Sequence, residues 1–184
     1  VGRPLDGTTV RIYDDDGNIL PTGESGEIYM NLNDLSDFTY HNKDDKRAEI
    51  ERDGMVTNGD VGYIDEGGYV YLNDRKRDMI ISGGVNIYPA EIESALQGMP
   101  GVQDCAVFGI PHEEFGESVA AAIELQPNVA LTPEAVRDYL KEHISAYKVP
   151  REIAFHDAMP REDSGKIFKR KLRQPYWDAA GRQI

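Results

Sequence analysis

Residues 79–99 read MIISGGVNIYPAEIESALQGM, and this stretch outlines a complete α+β unit. Two short apolar runs flank Ser82-Gly83-Gly84, which predicts a β-hairpin because glycines accept the positive φ angles of a tight turn. Pro89 then stands where a helix can begin, since the first helical turn does not need the N–H that proline lacks. The apolar residues that follow recur at helical spacing until Pro100-Gly101, and they are Ile92, Ala95, Leu96 and Met99.

Further strands and a second helix follow this unit. Ala106–Ile110 and Val119–Leu125 are nearly unbroken apolar runs, which is typical of strands buried on both faces. Thr132-Pro133 predicts the start of a helix, and Arg151–Phe155 predicts a last strand. We therefore expect a small α+β domain, with helices on a three-stranded sheet plus the β-hairpin.

The part before residue 79 is β-rich. Thr8–Tyr13 and Gly26–Met30 are predicted strands, and Asp14-Asp15-Asp16-Gly17-Asn18 between them favours a turn. Val61–Ile64 and Tyr69–Leu72 flank an Asp-Glu-Gly-Gly turn, which predicts a second hairpin.

The boundary between the two parts is expected near Asn73–Asp78, at the charged run Asp74-Arg75-Lys76-Arg77-Asp78. Such a run is typical of a solvated loop, and it is also what a hinge between domains looks like. We place one domain at residues 1–76 and the other at residues 77–184. Because the chain opens with Val1 and soon enters a strand, we expect it to be a piece of a longer protein.

Composition excludes several classes of protein. The 184 residues include 20 Lys and Arg against 33 Asp and Glu, a net charge of −13, which argues against a duplex nucleic-acid binder or an anionic-membrane binder. The short basic run Lys169–Arg173 lacks interleaved aromatic residues beyond Phe168, so it does not change that conclusion. No apolar run reaches the roughly 18 residues of a membrane helix, and no secretory leader is visible. Cys105 is the single cysteine, which fits a reducing compartment, so the expected location is cytoplasmic.

Two polar residues in the first part could bind a nucleotide. Asp60 stands between Gly59 and Gly62, where a carboxylate could accept hydrogen bonds from two sugar hydroxyls; local sequence alone favours an ordinary turn aspartate. Arg75 has a guanidinium fork that suits phosphate and ribose oxygens. The competing interpretation for Arg75 is an exposed surface ion pair, which contributes little to stability.

Two further candidates lie in the second part. Gly83 and Gly84 would let a slender ligand approach the backbone, although a hairpin turn needs the same residues. Lys166 stands in a predicted flexible loop that could deliver one positive charge to a polyanionic transition state. The alternative is a polar loop before a short basic helix from Phe168 to Arg173.

Neither a triphosphatase phosphate loop nor a dinucleotide fingerprint matches the chain. We also predict no metal site. The Asp14–Asp16 cluster lacks the later ligands of a calcium loop. The histidines lack metal-ligand spacing, and they are His41, His112, His143 and His156.

The order of the motifs carries more information than any motif alone. The chain resembles the C-terminal half of the adenylate-forming superfamily, which contains acyl-CoA synthetases, beetle luciferases and peptide-synthetase adenylation domains, and the acyl-CoA synthetase branch is the most similar. The resemblance covers essentially the whole chain. Its motifs are Gly2-Arg3-Pro4, Gly23–Ile28, Thr57–Asp60, Asp74–Gly84, Tyr88–Glu93, Tyr147–Pro150 and Pro160–Lys166.

The resemblance implies a two-step ligase. In such enzymes a carboxylate attacks the α-phosphate of ATP, with magnesium, to give an acyl adenylate and pyrophosphate. The thiol of coenzyme A then displaces AMP to form a thioester. Asp60 matches the aspartate that holds the ribose hydroxyls, and Arg75 matches the arginine that contacts the nucleotide. Lys166 matches the lysine that stabilises the adenylation transition state. Gly83 and Gly84 match the loop that lines the pantetheine path after the small domain rotates.

The same resemblance implies that part of the enzyme is missing. The phosphate loop, the adenine-contacting motif, the acyl pocket and most magnesium contacts lie upstream in the family, before Val1. Residues 1–76 then correspond to the β-rich end of the large domain, and residues 77–184 correspond to the small mobile domain. The rotation pivot falls on Arg77, where the family usually has Asp or Lys. We expect the isolated chain to be inactive and to need the missing N-terminal domain as its partner.

Two other functions remain open. An adenylation domain that loads a carrier protein usually continues into a carrier segment, whereas this chain ends at Arg182-Gln183-Ile184, soon after Lys166, which favours free coenzyme A. A non-catalytic binding or regulatory module would not need Asp60, Arg75 and Lys166 together.

Overall fold

The computed structural model describes residues 1–32, 38–41 and 44–181. The chain divides into two compact units, Val1–Arg77 and Asp78–Ile184. The closing tripeptide, residues 182–184, lies outside the described residues.

The first unit is built on an antiparallel sheet of five strands. Strand β4 pairs with β2 along one edge and with β3 and β5 along the other, and β1 pairs with β2. The strands predicted from the sequence are confirmed, but β4 begins six residues before Val61 and extends back to Met55. The elements are β1 Thr8–Tyr13, β2 Gly26–Leu32, α1 Asp44–Glu49, β3 Glu51–Arg52, β4 Met55–Ile64 and β5 Val70–Arg75.

Gly62 fixes how closely β4 and β5 approach. A Cβ atom at this position would lie 1.9 Å from the carbonyl oxygen of Tyr71, so only glycine fits here. The register of the two strands shifts between Val61 and Gly62, as in a β-bulge. Beyond this shift Asp60 pairs with Arg75, so a backbone requirement of the sheet determines which side chains meet.

The second unit has the predicted α+β fold. Strand β9 lies between antiparallel β8 and parallel β10, and the β6–β7 hairpin joins β9 through the single pair Ser82 and Gly116. The three-stranded sheet plus hairpin is therefore confirmed. The elements are β6 Ile80–Ser82, β7 Val85–Ile87, α2 Pro89–Gln97, β8 Val102–His112, β9 Gly116–Leu125, α3 Pro133–His143, β10 Glu152–His156 and α4 Lys169–Ala179.

Strands β8 and β9 are buried on both faces, as their apolar runs predicted. Alternate residues point to opposite faces. On one face the core includes Val107 and Ile123 with residues of α2 and α3, and on the other face it includes Phe108 with Leu172 of α4. Ile80 and Ile87 of the β6–β7 hairpin are buried in the same core as Val107 and Ile123. No helix in the described part of the chain is long and apolar enough to cross a membrane.

Two boundaries differ from the sequence prediction. Helix α4 does not end at Arg173 but continues through Pro175 to Ala179. Proline removes one helical hydrogen bond. The last turns are nevertheless packed, because Tyr176 contacts Phe108 and the Trp177 Nε1–H donates to the Gly109 carbonyl at 3.1 Å.

The charged run is also not wholly a loop. β5 continues to Arg75, and a 3-10 turn covers Lys76–Asp78.

Candidate functional site

Asp60 and Arg75 form an ion pair across two neighbouring strands. Asp60 lies inside β4, so the turn favoured by local sequence is wrong, and the ladder of β4 and β5 sets Arg75 directly opposite. The Arg75 Nε lies 3.5 Å from Asp60 Oδ1, and the two side chains are 49% and 28% exposed. A pair this open to solvent is weak as a stabilising contact, so both groups can exchange it for a ligand.

Asp60 also lines a cavity of about 370 Å³ in the first unit. The polar residues that line it are Arg3, Thr8, Asn58 and Asp60, and the rest of the wall is mainly apolar, with Val10, Ile28, Met30, Val70 and Leu72 among its members. A mostly apolar cleft with a few convergent polar groups is the usual character of a small-molecule site. A carboxylate at such a wall can fix hydroxyl groups while a flat ring lies against the apolar surface.

Lys76 pairs with two carboxylates, whereas its neighbour Arg75 pairs with one. Its ammonium lies 2.9 Å from the carboxylates of both Asp15 and Glu27. Burial alone would lower the pKa of Lys76, but these two carboxylates raise it above its ordinary value. Lys76 is therefore a structural cation of the first unit. Arg77, the predicted hinge, is the last residue of that unit.

Gly83 and Gly84 form the two-residue turn of the β6–β7 hairpin. Their φ angles are +58° and +80°, in the left-handed region that favours glycine. A Cβ at Gly83 would lie 3.3 Å from the Phe115 ring, whereas no described atom outside its chain neighbours lies within 4 Å of a Cβ built on Gly84. Gly84 therefore has the positive φ that the hairpin turn requires, and the space beside its Cα atom is open.

Lys166, for which the sequence predicted a polar, flexible loop, lies in a turn that backbone hydrogen bonds close. Arg161 and Ile167 form an antiparallel bridge, the Glu162 N–H donates to the Lys166 carbonyl at 2.8 Å, and Gly165 has a φ of +84°. The Lys166 side chain is exposed, and its ammonium has no hydrogen-bond or ion-pair partner among the residues that the structure describes. The turn therefore presents a free positive charge.

A different lysine links two of the sequence motifs. The Lys148 ammonium lies 2.6 and 2.8 Å from the two oxygens of Glu91, which joins Tyr147–Pro150 to α2. Burial alone would lower the pKa of Lys148, but the hydrogen bonds and charge of Glu91 raise it. Lys148 thus has a structural role, because it links the segment Tyr147–Pro150 to helix α2.

Cys105 is not a reactive group. The residue is buried in β8, and burial raises the pKa of its thiol to about 12, with the Glu93 and Asp104 carboxylates acting in the same direction. A thiol protonated at neutral pH is neither a nucleophile nor a metal ligand. Across residues 1–32, 38–41 and 44–181, no three or more His, Cys, Asp or Glu side chains are grouped as a metal site.

Sequence reasoning missed the carboxylates that hold the segment around Lys166. Glu124, Asp104 and Glu93 bond to Met159, Arg161 and Lys169 respectively. One signal was available, because Glu124 is a charged residue inside the apolar run Val119–Leu125 and a buried charge needs a partner. The other two pairs join residues far apart in the chain and leave no local pattern.

The second unit matches a known family model. Residues 91–166 match the model described as the AMP-binding enzyme C-terminal domain, and the match ends at Lys166.

Curated relatives extend the similarity to nearly the whole chain. A fatty acid–[acyl-carrier-protein] ligase of Streptomyces coeruleorubidus is 38% identical over 183 residues, which is 100% of this chain and 35% of that protein. A long-chain-fatty-acid–CoA ligase of Mycobacterium tuberculosis is 41% identical over 175 residues, 95% of this chain and 34% of the ligase. The chain thus spans about a third of the length of the relatives it matches.

A solved structure agrees with these relatives. ATP-bound MatB from Rhodopseudomonas palustris superposes with a TM-score of 0.88 at 36% identity, covering 97% of this chain and 36% of MatB.

Proposed function

Because the chain belongs to the AMP-binding enzymes and carries their C-terminal domain, we propose that it is the C-terminal portion of an ATP-dependent acyl-CoA synthetase. In that enzyme the carboxylate of an acid, of fatty or related type, displaces pyrophosphate from ATP to give an acyl adenylate, and the thiol of coenzyme A then displaces AMP to give a thioester. The observation that carries the proposal is the Asp60–Arg75 pair, in which Asp60 lines a mainly apolar cavity and the sheet register sets Arg75 opposite Asp60.

In the first half-reaction the two units supply different groups. Asp60 accepts hydrogen bonds from the ribose hydroxyls, and Arg75 turns from Asp60 to the phosphate of the nucleotide. Lys166 places its ammonium beside the phosphate at which charge develops when the carboxylate attacks. Its free charge supports this role, since a preorganised cation in a closed site stabilises such a transition state strongly.

In the second half-reaction the open turn at Gly83 and Gly84 lines the path of the coenzyme A thiol. Each half-reaction uses a different face of the second unit, so the proposal includes a rotation of this unit about Arg77. Residues 1–76 then belong to the large domain, and residues 77–184 form the small domain that rotates.

Magnesium would accompany ATP, but the described residues do not form a site for it. We therefore assign its contacts to the missing N-terminal part of the enzyme.

The test of the proposal is ATP–pyrophosphate exchange with the full-length protein across a panel of carboxylic acids. We expect exchange that depends on the acid, and thioester formation when coenzyme A is added. The 184-residue chain by itself should catalyse neither step, since the proposal assigns the acyl pocket and the phosphate loop to the missing N-terminal part of the enzyme. Absence of exchange with every acid would favour the non-catalytic module, and thioester synthesis by the chain alone would contradict the assignment of its missing part.

Replacing Asp60 by alanine in the full-length protein should weaken ATP binding about 10- to 100-fold, because hydrogen bonds to a charged group are lost. Titration calorimetry with ATP and with AMP measures the loss for each nucleotide. Asp16 lies in an exposed turn, so Asp16→Ala is the matched control and should bind both nucleotides normally. Equal affinities for Asp60→Ala and the unaltered protein would remove Asp60 from the nucleotide site.

One comparison favours a second candidate for the acyl acceptor. The Streptomyces relative is named as an acyl-carrier-protein ligase and covers this whole chain. Offering coenzyme A and a phosphopantetheinylated carrier protein separately to the acyl adenylate decides between them. Transfer to the carrier protein alone would replace coenzyme A in the proposal and leave the adenylation step intact.

A further inference from the structure

Arg161 ties the Lys166 turn to the sheet of the second unit. One guanidinium nitrogen, Nη1, donates to the Gly165 carbonyl at 3.0 Å, and the other, Nη2, lies 2.6 Å from Asp104 Oδ2 on β8. Gly165 is the residue before Lys166, so one side chain connects the sheet to the peptide that carries the lysine.

The acceptor of this contact is itself oriented. Asp104 Oδ1 accepts the N–H of Cys105 at 2.9 Å, which leaves Oδ2 for Arg161. The Asp104 side chain is 25% exposed, so water screens this pair less than a fully exposed pair. Asp104 lies where the β8–β9 register shifts, and such irregularities commonly re-aim a side chain.

Both ends of the segment are held as well. The Met159 N–H donates to Glu124 Oε2 at 2.8 Å in the buried core. At the other end Lys169 Nζ lies 2.8 Å from Glu93 Oε1, an oxygen that also accepts the N–H of Val107. Between these anchors two side chains reach the peptide before Lys166: the Ser164 Oγ accepts its N–H at a long 3.5 Å, and Arg161 bonds its carbonyl at 3.0 Å and connects it to the sheet.

The residue type matters at this position. A guanidinium carries donors in a rigid fork and can bond two acceptors in one plane, whereas the ammonium of a lysine is a single point on a flexible stem. Gly165 has wide backbone freedom, so without this bond the turn would sample more conformations and Lys166 would be in its working position less often.

We propose that Arg161, oriented by Asp104, is a positioning residue for the adenylation step, because it fixes the Gly165 carbonyl and thereby the Lys166 ammonium. This inference rests on the proposed function of Lys166. It predicts a defect in the first half-reaction that leaves the second unchanged, since the hydrogen bonds and the ion pair described for the Arg161 side chain go to Gly165 and Asp104 and not to the Gly83–Gly84 turn.

The test uses Arg161→Gln, Arg161→Lys and Asp104→Asn in the full-length protein. We expect Arg161→Gln to lower kcat of acid-dependent ATP–pyrophosphate exchange about 10- to 100-fold. The KM for ATP and the rate of thioester formation from supplied acyl adenylate should not change. The kcat of exchange for Arg161→Lys should be little higher than for Arg161→Gln, because lysine keeps the positive charge but lacks the two-pronged guanidinium. Arg170 is exposed in the next helix, so Arg170→Gln is the matched control and should have normal kcat.

The decisive comparison combines Arg161→Gln with Lys166→Ala. If Arg161 acts through the lysine, it should cause no further loss once Lys166 is absent, whereas a merely structural role would lower activity again. Normal exchange in Arg161→Gln, or an equal loss in both half-reactions, would overturn the inference. Normal exchange in Lys166→Ala would instead contradict the proposed function of the lysine.

Discussion

Replacing Lys166 by alanine in the full-length protein should lower the rate of acyl-adenylate formation about 100- to 1,000-fold. The ammonium lies at a hydrogen-bonded turn and has no partner among the described residues, so its charge is available to the phosphate. The second half-reaction should proceed at the normal rate, since in the proposed mechanism displacement of AMP by the thiol uses the Gly83–Gly84 turn and not Lys166. Acid-dependent ATP–pyrophosphate exchange measures the first effect, and thioester formation from supplied acyl adenylate measures the second.

Lys171→Ala is the control for Lys166→Ala. Lys171 is an exposed cation five residues further along, so its removal changes the net charge equally without touching the turn. Loss of exchange in both variants would point to a general charge effect, and retention of exchange in Lys166→Ala would remove this lysine from the mechanism.

Replacing Gly84 by phenylalanine should have the opposite effect. We expect thioester formation to fall about 100-fold while adenylation is retained, because a large side chain at the open turn obstructs the approach of the thiol. Stopped-flow measurement of thioester formation from supplied acyl adenylate, beside exchange, separates the two rates.

Gly84→Ala is the control for the backbone. Gly84 has a φ of +80°, and any L residue there costs about 1–2 kcal/mol of conformational strain. The Gly84→Ala and Gly84→Phe variants share this strain and differ in side-chain size. A larger loss of thioester-formation rate in Gly84→Phe therefore measures the obstruction of the thiol path. Equal losses would attribute the effect to the hairpin alone. If Gly84→Phe and Lys166→Ala impaired the same half-reaction, the assignment of two faces to two steps would be wrong.

Most of the secondary structure could be predicted from the sequence. The Gly83-Gly84 pair requires a tight turn, Pro89 and Pro133 mark helix starts, and the run Val119–Leu125 has no polar face except Glu124. These signals are local, because they depend on the dihedral angles of single residues and on the spacing of apolar side chains. The prediction was wrong where packing outweighed a local rule, as at Pro175, which α4 accommodates while Tyr176 and Trp177 pack on β8.

By itself, the sequence determined the order of most of the elements, though not α1 and β3, which no pattern predicted, together with the separation into a β-rich part and an α+β part and the candidate residues. Only the tertiary structure decided which of those residues meet. Asp60 faces Arg75 because a bulge at Gly62 sets the register of β4 and β5, and Arg161 reaches Asp104 across 57 residues because β8 passes beside the Lys166 turn. Local propensity specifies whether a segment forms a helix, a strand or a turn. It does not specify the register or the packing partner, which depend on the whole core being filled at once.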